Sequence, residues 1–135
     1  MDSLLRWVGG KRLLRKKIVE LIPNRKVYVE PFGGAAWVLF YKERLPKEIE
    51  VYNDINSNLT NLFLQIKYHS DAVINELRLM LKSRKMFQMM KDWNGLTEIQ
   101  KAARFYYLVL ISFGGFGQHF GRSIKTGGGS ISLYV

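Results

Sequence analysis

Apolar and polar positions along the chain alternate between the spacing of helices and that of short strands. From Lys11 a helix is predicted, with Leu14, Ile18, Leu21 and Ile22 on one face and Arg12, Arg15, Lys16 and Lys17 largely off it; Pro23 ends it. Val27-Tyr28-Val29 reads as a strand, Pro31 to Gly34 as a loop, and Ala35 to Lys42 as a helix that stops before Pro46. Ile49-Glu50-Val51-Tyr52 is a second strand, and Asn53 to Asn58 a polar turn with a cap residue, Ser57 or Asn58. Leu59, Leu62, Phe63 and Ile66 then share one helix face.

Asp71 to Met90 predicts one or two further helices, with Ile74, Leu77 and Leu81 on a face, and Asn94-Gly95 breaks the pattern. Thr97 is placed to cap a helix running through Gln100, Arg104 and Leu108 to about Ser112. Phe105, Tyr106, Leu108 and Phe113 read as core. Gly114, Gly115, Gly117 and Gly121 oppose regular helix, and Gly127-Gly128-Gly129 is a second flexible point. Ser130 to Val135 alternates polar and apolar residues as a strand does, so the chain stops inside a predicted strand.

Composition narrows the classes. The 135 residues suit a single domain, and 47% apolar content is enough for a core. The absence of cysteine excludes a disulfide scaffold, a cysteine nucleophile and a thiolate zinc site. The two histidines, His69 and His119, form no ligand cluster, so no metal is expected. Twenty-one Lys and Arg against 11 Asp and Glu give a net charge of +10, which favours a polyanionic partner, nucleic acid or an anionic membrane surface. No stretch reaches the about 18–20 apolar residues of a membrane-spanning helix, and no signal peptide is visible. A soluble, cytoplasmic protein is the expectation.

The first 60 residues hold the most specific constellation. A strand leads into Glu30-Pro31-Phe32-Gly33-Gly34-Ala35, then a helix, a second strand and Asn53-Asp54. In a βαβ unit this first loop lies at the carboxyl end of the strand, where ligands bind. Asp54 follows Gly34 by 20 positions, the spacing of a carboxylate that accepts both hydroxyls of a ribose. The third glycine of a dinucleotide fingerprint is missing, and so is the Gly-Lys-Ser/Thr of a phosphate loop. The ligand suggested is a nucleoside without a pyrophosphate. The competing reading is a tight strand-to-helix turn with Asp54 as a helix cap. Upstream, Trp7-Val8-Gly9-Gly10-Lys11 offers a ring that stacks on a base and a cation that meets a carboxylate, or else a Trp packed on the first helix and a Lys in its first turn.

In this order, Trp7-x-Gly9-Gly10-Lys11, Val29-Glu30-Pro31-Phe32-x-Gly34-Ala35 and Asn53-Asp54-Ile55-Asn56 resemble the Dam-type adenine-specific DNA methyltransferases. The stretch Ala102 to Leu108 followed by Phe113-Gly114-Gly115-Phe116-Gly117 resembles that family's entry into its DNA-recognition region. The resemblance implies an α/β chain: a partial Rossmann-like methyltransferase fold dependent on S-adenosylmethionine (SAM), with a helical insertion leading into a DNA-recognition region. Residues 1–68 would form the SAM-binding part and 69–135 the target-recognition region. It implies methyl transfer from SAM to N6 of adenine in double-stranded DNA, as in restriction-modification. Trp7 and Lys11 would belong to the SAM pocket, Glu30, Pro31, Phe32, Gly33, Gly34 and Ala35 to the loop under the cofactor's amino-acid portion, and Asp54 to the ribose. Arg6 aligns with a basic position that touches DNA in some relatives.

One departure matters for chemistry. The family's catalytic Asp/Asn-Pro-Pro-Tyr/Phe is absent: the three prolines, Pro23, Pro31 and Pro46, are nowhere adjacent. That motif accepts the hydrogens of the adenine amino group and stacks on the flipped base. No catalytic residue is therefore assigned. The chain reads as the N-terminal half of a longer enzyme; the alternatives are an inactive SAM- or DNA-binding remnant, or a half that pairs with a second polypeptide. Arg104, His119, Arg122 and Lys125, within or next to the aromatic-rich segment Tyr106 to Phe120, are the candidates for phosphate contact.

Overall fold

The computed structural model describes residues 2–121, and the chain divides into two compact units, Met1–Ser57 and Asn58–Val135. The predicted strand at 130–135, the glycines at 127–129, and Arg122 and Lys125 lie outside the described residues.

The first unit comprises α1 (Arg15–Glu20), β1 (Val27–Glu30), α2 (Trp37–Tyr41) and β2 (Ile49–Tyr52). β1 and β2 pair in parallel, Val27 opposite Ile49 and Glu30 opposite Tyr52. A parallel pair needs a crossover, and α2 supplies it. Both strands therefore end at the same edge, where the loop after Glu30 and the Asn53-Asp54 turn emerge side by side.

Two helix expectations need correction. α1 starts at Arg15 rather than Lys11, and Leu14 and Leu21 are exposed. Six residues are too few for a continuous apolar stripe, and Arg15 takes the inward place. Its guanidinium lies 5.1 Å from the Trp37 ring and 4.8 Å from the Tyr41 ring, where a flat, weakly hydrated cation packs well. α2 starts at Trp37 rather than Ala35, because Ala36 turns left-handed at φ 54° just before it.

The sheet reverses the usual distribution of polarity. Val27, Val29, Ile49 and Val51 share one exposed face, while Tyr28, Glu30, Glu50 and Tyr52 point the other way. That inner face meets the end of α2 through buried charges. Lys42 Nζ lies 2.9 Å from Glu48 Oε2 and also pairs with Glu50; Arg25 Nε sits 2.5 Å from Glu48 Oε1. Burial alone would raise the Glu48 carboxyl, but the Leu45 amide and the Lys42 and Arg25 hydrogen bonds outweigh it and hold the group at about 2. Burial, with the negative Glu30 beside it, pushes the Tyr28 hydroxyl up to about 12.

The second unit holds α3 (Ser57–Leu77, bent at His69), α4 (Arg84–Asp92) and α5 (Glu98–Ile111). Leu59, Leu62, Val73, Leu77, Phe87, Met90, Ala102, Ala103, Tyr107 and Ile111 are buried. Thr97 forms the predicted capping box with Gln100 at the start of α5. Leu81 does not extend the face of Ile74 and Leu77: α3 ends at Leu77, Leu79 turns left-handed at φ 63°, and Leu81 is exposed while its carbonyl accepts the Tyr107 hydroxyl at 2.8 Å. Phe113 is also exposed rather than core. After α5 the Gly121 amide donates to Ile111 O and the Phe113 amide to His119 O, closing 112–120 into a loop that turns Phe113 outward. No described helix is long and apolar enough to cross a membrane.

Candidate functional site

The predicted ligand residues of the first unit come together at the carboxyl edge of the parallel pair. The Gly33 amide donates to Asn53 O at 2.9 Å, and Asn53 Nδ2 donates to Pro31 O at 3.0 Å, so the turn after β2 grips the loop after β1. Asp54 grips it again: Oδ2 accepts from the Gly34 amide at 2.7 Å and Oδ1 from the Asn56 amide at 2.9 Å. Both bonds go to amides ahead of α3, so Asp54 braces the turn and the loop rather than capping a helix. Each carboxylate oxygen carries one lone pair beyond its backbone bond.

The N-terminal segment closes the loop from the other direction. Lys11 lies ahead of α1, not in its first turn, and its Nζ donates to Phe32 O at 2.8 Å. The Trp7 indole lies over the loop, 3.0 Å from where a Cβ on Gly34 would stand. Gly34 needs φ +52°, a conformation other residues rarely adopt. Ser3 Oγ donates to Ala35 O. Pro31 and Phe32 are exposed at the rim, while Gly33 and Ala35 are buried.

Glu30 is the chemically unusual member. Its side chain is only 7% exposed; Oε2 accepts from the Leu39 amide at 3.2 Å, and Oε1 is buried without a hydrogen-bond partner. The nearest cation is Lys11, 3.9 Å from Oε1, too long for a hydrogen bond. Burial raises the Glu30 carboxyl, and Lys11 and the Leu39 amide pull it back only in part. Oε1 is thus an acceptor open to a donor from outside the chain, a water or a ligand, as Arg15 Nε and Nη1 are buried donors without a protein partner.

Sequence reasoning missed Tyr52, whose hydroxyl donates to Gly34 O at 2.7 Å. An aromatic residue at a strand end carries no signal of that contact. Of the described DNA candidates, one lies in the first unit and two in the second. Arg6 is exposed at the N-terminus; Arg104 is half-buried and donates from Nη1 to Trp93 O at 2.6 Å; His119 is exposed. Among the described residues no group of three or more His, Cys, Asp or Glu is placed to hold a metal ion.

A glycine loop, an acidic residue after the neighbouring strand and a buried carboxylate with one oxygen left without a hydrogen bond stand together at one edge of a parallel pair, in a chain of mixed helix and strand. The model of the D12 class N6 adenine-specific DNA methyltransferases matches residues 7–118, and the chain belongs to that family. It is 33% identical over 120 residues to the Type II methyltransferase M1.LlaDCHI of Lactococcus lactis subsp. cremoris, covering 82% of this chain and 41% of that protein. Against the Type II methyltransferase M.MjaIII of Methanocaldococcus jannaschii the identity is 29% over 129 residues, covering 80% and 45%. Against the retron Ec67 DNA adenine methylase of Escherichia coli it is 29% over 115 residues, covering 80% and 39%. The chain thus spans less than half the length of these relatives.

Proposed function

We propose that this chain is the cofactor-binding part of an adenine-specific DNA methyltransferase that moves a methyl group from SAM to N6 of adenine. The reading places the site on a partial Rossmann-like fold, with 1–68 as the SAM-binding part and 69–135 as a helical target-recognition region. The observation that carries it is the orphan Oε1 of Glu30 beside Lys11. A buried anion with an unused acceptor, next to a half-exposed cation, is complementary to an amino-acid zwitterion such as the end of SAM. Asp54, at the other arm of the loop, has lone pairs left for two ribose hydroxyls. The residues present therefore fit the cofactor.

When bound, SAM supplies an electrophilic methyl group. Lys11 would hold the cofactor's carboxylate, Glu30 its ammonium and Asp54 its ribose, with the Pro31–Ala35 backbone underneath and Trp7 against Gly34. No residue here is assigned to the attack of adenine N6, because the sequence lacks the Asp/Asn-Pro-Pro-Tyr/Phe motif. Further residues, or a second polypeptide, would supply it. Double-stranded DNA is the substrate this reading requires, and the net charge of +10 supports it. In the second unit, exposed Phe113, Phe116 and His119 on the closed loop are a surface suited to DNA contact. The competing reading, an inactive SAM- or DNA-binding remnant, shares the site and differs only in catalysis.

Calorimetric titration of the chain with SAM tests the proposal. Binding is expected, and Glu30→Gln should weaken it at least tenfold, since the acceptor of the ammonium becomes neutral. Absence of binding by the unmodified chain, or equal binding by the variant, would remove the assignment.

A further inference from the structure

The contact that the family motifs do not explain is Tyr52. Its ring fills the space that a side chain at position 33 would need: a Cβ built on Gly33 would stand 2.2 Å from Cε2 and 2.5 Å from Cδ2 of Tyr52, distances that real Cβ atoms do not reach. Gly33 does not have a positive φ. Its backbone would accept any residue, so what forbids a side chain there is the tyrosine ring.

The same side chain restrains Gly34. Gly34 donates its amide to Asp54 at 2.7 Å, and its carbonyl accepts from the Tyr52 hydroxyl at 2.7 Å. These groups belong to the two peptide planes on either side of one Cα. Fixing both fixes φ and ψ of a residue that would otherwise sample both signs of φ almost equally. The Trp7 ring lies against Gly34 and the Tyr52 ring against Gly33, so each glycine of the pair meets an aromatic ring.

We propose that Tyr52 is a positioning residue of the cofactor site, which through Gly33 and Gly34 sets the loop conformation that SAM meets. The inference rests on the SAM reading above. Tyr52 acts on the ligand only through the loop. Positions 33 and 52 form one coupled pair: the tyrosine requires the glycine, and the glycine makes room for the tyrosine.

The test uses the full chain, SAM titration calorimetry and amide hydrogen exchange. Tyr52→Phe keeps the ring and removes one neutral hydrogen bond, so the SAM dissociation constant should rise about three- to tenfold. The Gly34 amide should exchange faster, with the amides paired between β1 and β2 unchanged. Affinity within twofold of the unmodified chain would overturn the proposal, as would uniform loosening of the whole sheet, which marks a merely structural role. A second pair of variants tests the coupling. Gly33→Ala should weaken binding more than tenfold in the native background and less than twofold in a Tyr52→Ala background. Equal cost in both backgrounds would overturn the coupling. If the unmodified chain binds no SAM, the cofactor reading fails and Tyr52 falls with it; if it binds and Tyr52→Phe matches it, only the Tyr52 assignment fails.

Discussion

Asp54→Ala separates the two roles that meet at one carboxylate. In the folded chain Asp54 accepts a charge-assisted bond from the Gly34 amide at 2.7 Å and another from the Asn56 amide at 2.9 Å. Bonds to charged groups contribute about 1.5–3 kcal/mol each when buried. Asp54 is half-buried, so water replaces part of both, and the expected loss of stability is about 1–3 kcal/mol in total. If the same carboxylate also holds the ribose, SAM affinity falls by a further about 1.5–3 kcal/mol, or roughly 10- to 150-fold. Asp54→Asn keeps one acceptor and turns the other into a donor facing an N–H, so it should fall between the native chain and Asp54→Ala in both measurements. Urea unfolding gives the first quantity and calorimetric titration, done well below the unfolding transition, gives the second. A destabilised Asp54→Ala chain that binds SAM within twofold of the native one would refute the ligand role and leave Asp54 as a turn brace alone.

The buried charges at the opposite end of the sheet make further predictions. Lys42→Met leaves Glu48 and Glu50 without their shared cation and should cost about 3 kcal/mol in urea unfolding; an unchanged midpoint would mean that Arg25 on Glu48 and Arg44, whose Nε lies 3.3 Å from Glu50 Oε2, suffice. Glu48 titrates near 2 in the fold against 4.5 unfolded, so its stabilisation is complete above about 4.5 and disappears as the pH falls towards 2. Glu48→Gln should flatten the acid limb of the stability profile; an unaltered limb would count against this. Glu30, held above its ordinary value, works with the opposite sign, its burial becoming easier as it protonates. Thr97→Ala removes one half of the α5 capping box and should destabilise the chain by about 1 kcal/mol, read as a shift in the thermal midpoint; no shift would show that the cap contributes nothing.

Much of the site is legible from local chemistry. The Gly33-Gly34 loop, the spacing to Asp54, the strand at Ile49–Tyr52 and the Thr97 cap all follow from short-range rules, because turns, caps and parallel crossovers restrict which residues can stand at fixed offsets. The family resemblance rests on those same short motifs and is matched over residues 7–118.

What the fold alone decides is which partner each side chain meets. Leu14, Leu21, Leu81 and Phe113 have the hydrophobicity of core residues, yet all four are exposed. Helix α1 is short and gives its inward place to Arg15, α3 stops before Leu81, and the loop after α5 closes so as to turn Phe113 out. The strand sequences alternate, but alternation does not say which face is covered; here Lys42, Glu48 and Glu50 pair on the polar face at the end of α2, and the apolar face is exposed. The Gly34–Asp54 pairing is legible because a known crossover spacing encodes it, whereas the Tyr52–Gly34 bond belongs to no such motif and the orphan oxygen of Glu30 follows from burial, which no spacing shows. The sequence by itself determines the motifs and the elements that carry them. Only the tertiary structure determines that a tyrosine and a tryptophan stand against one glycine pair and that one oxygen of Glu30 is buried without a hydrogen bond, since long-range packing, not local propensity, brings this about.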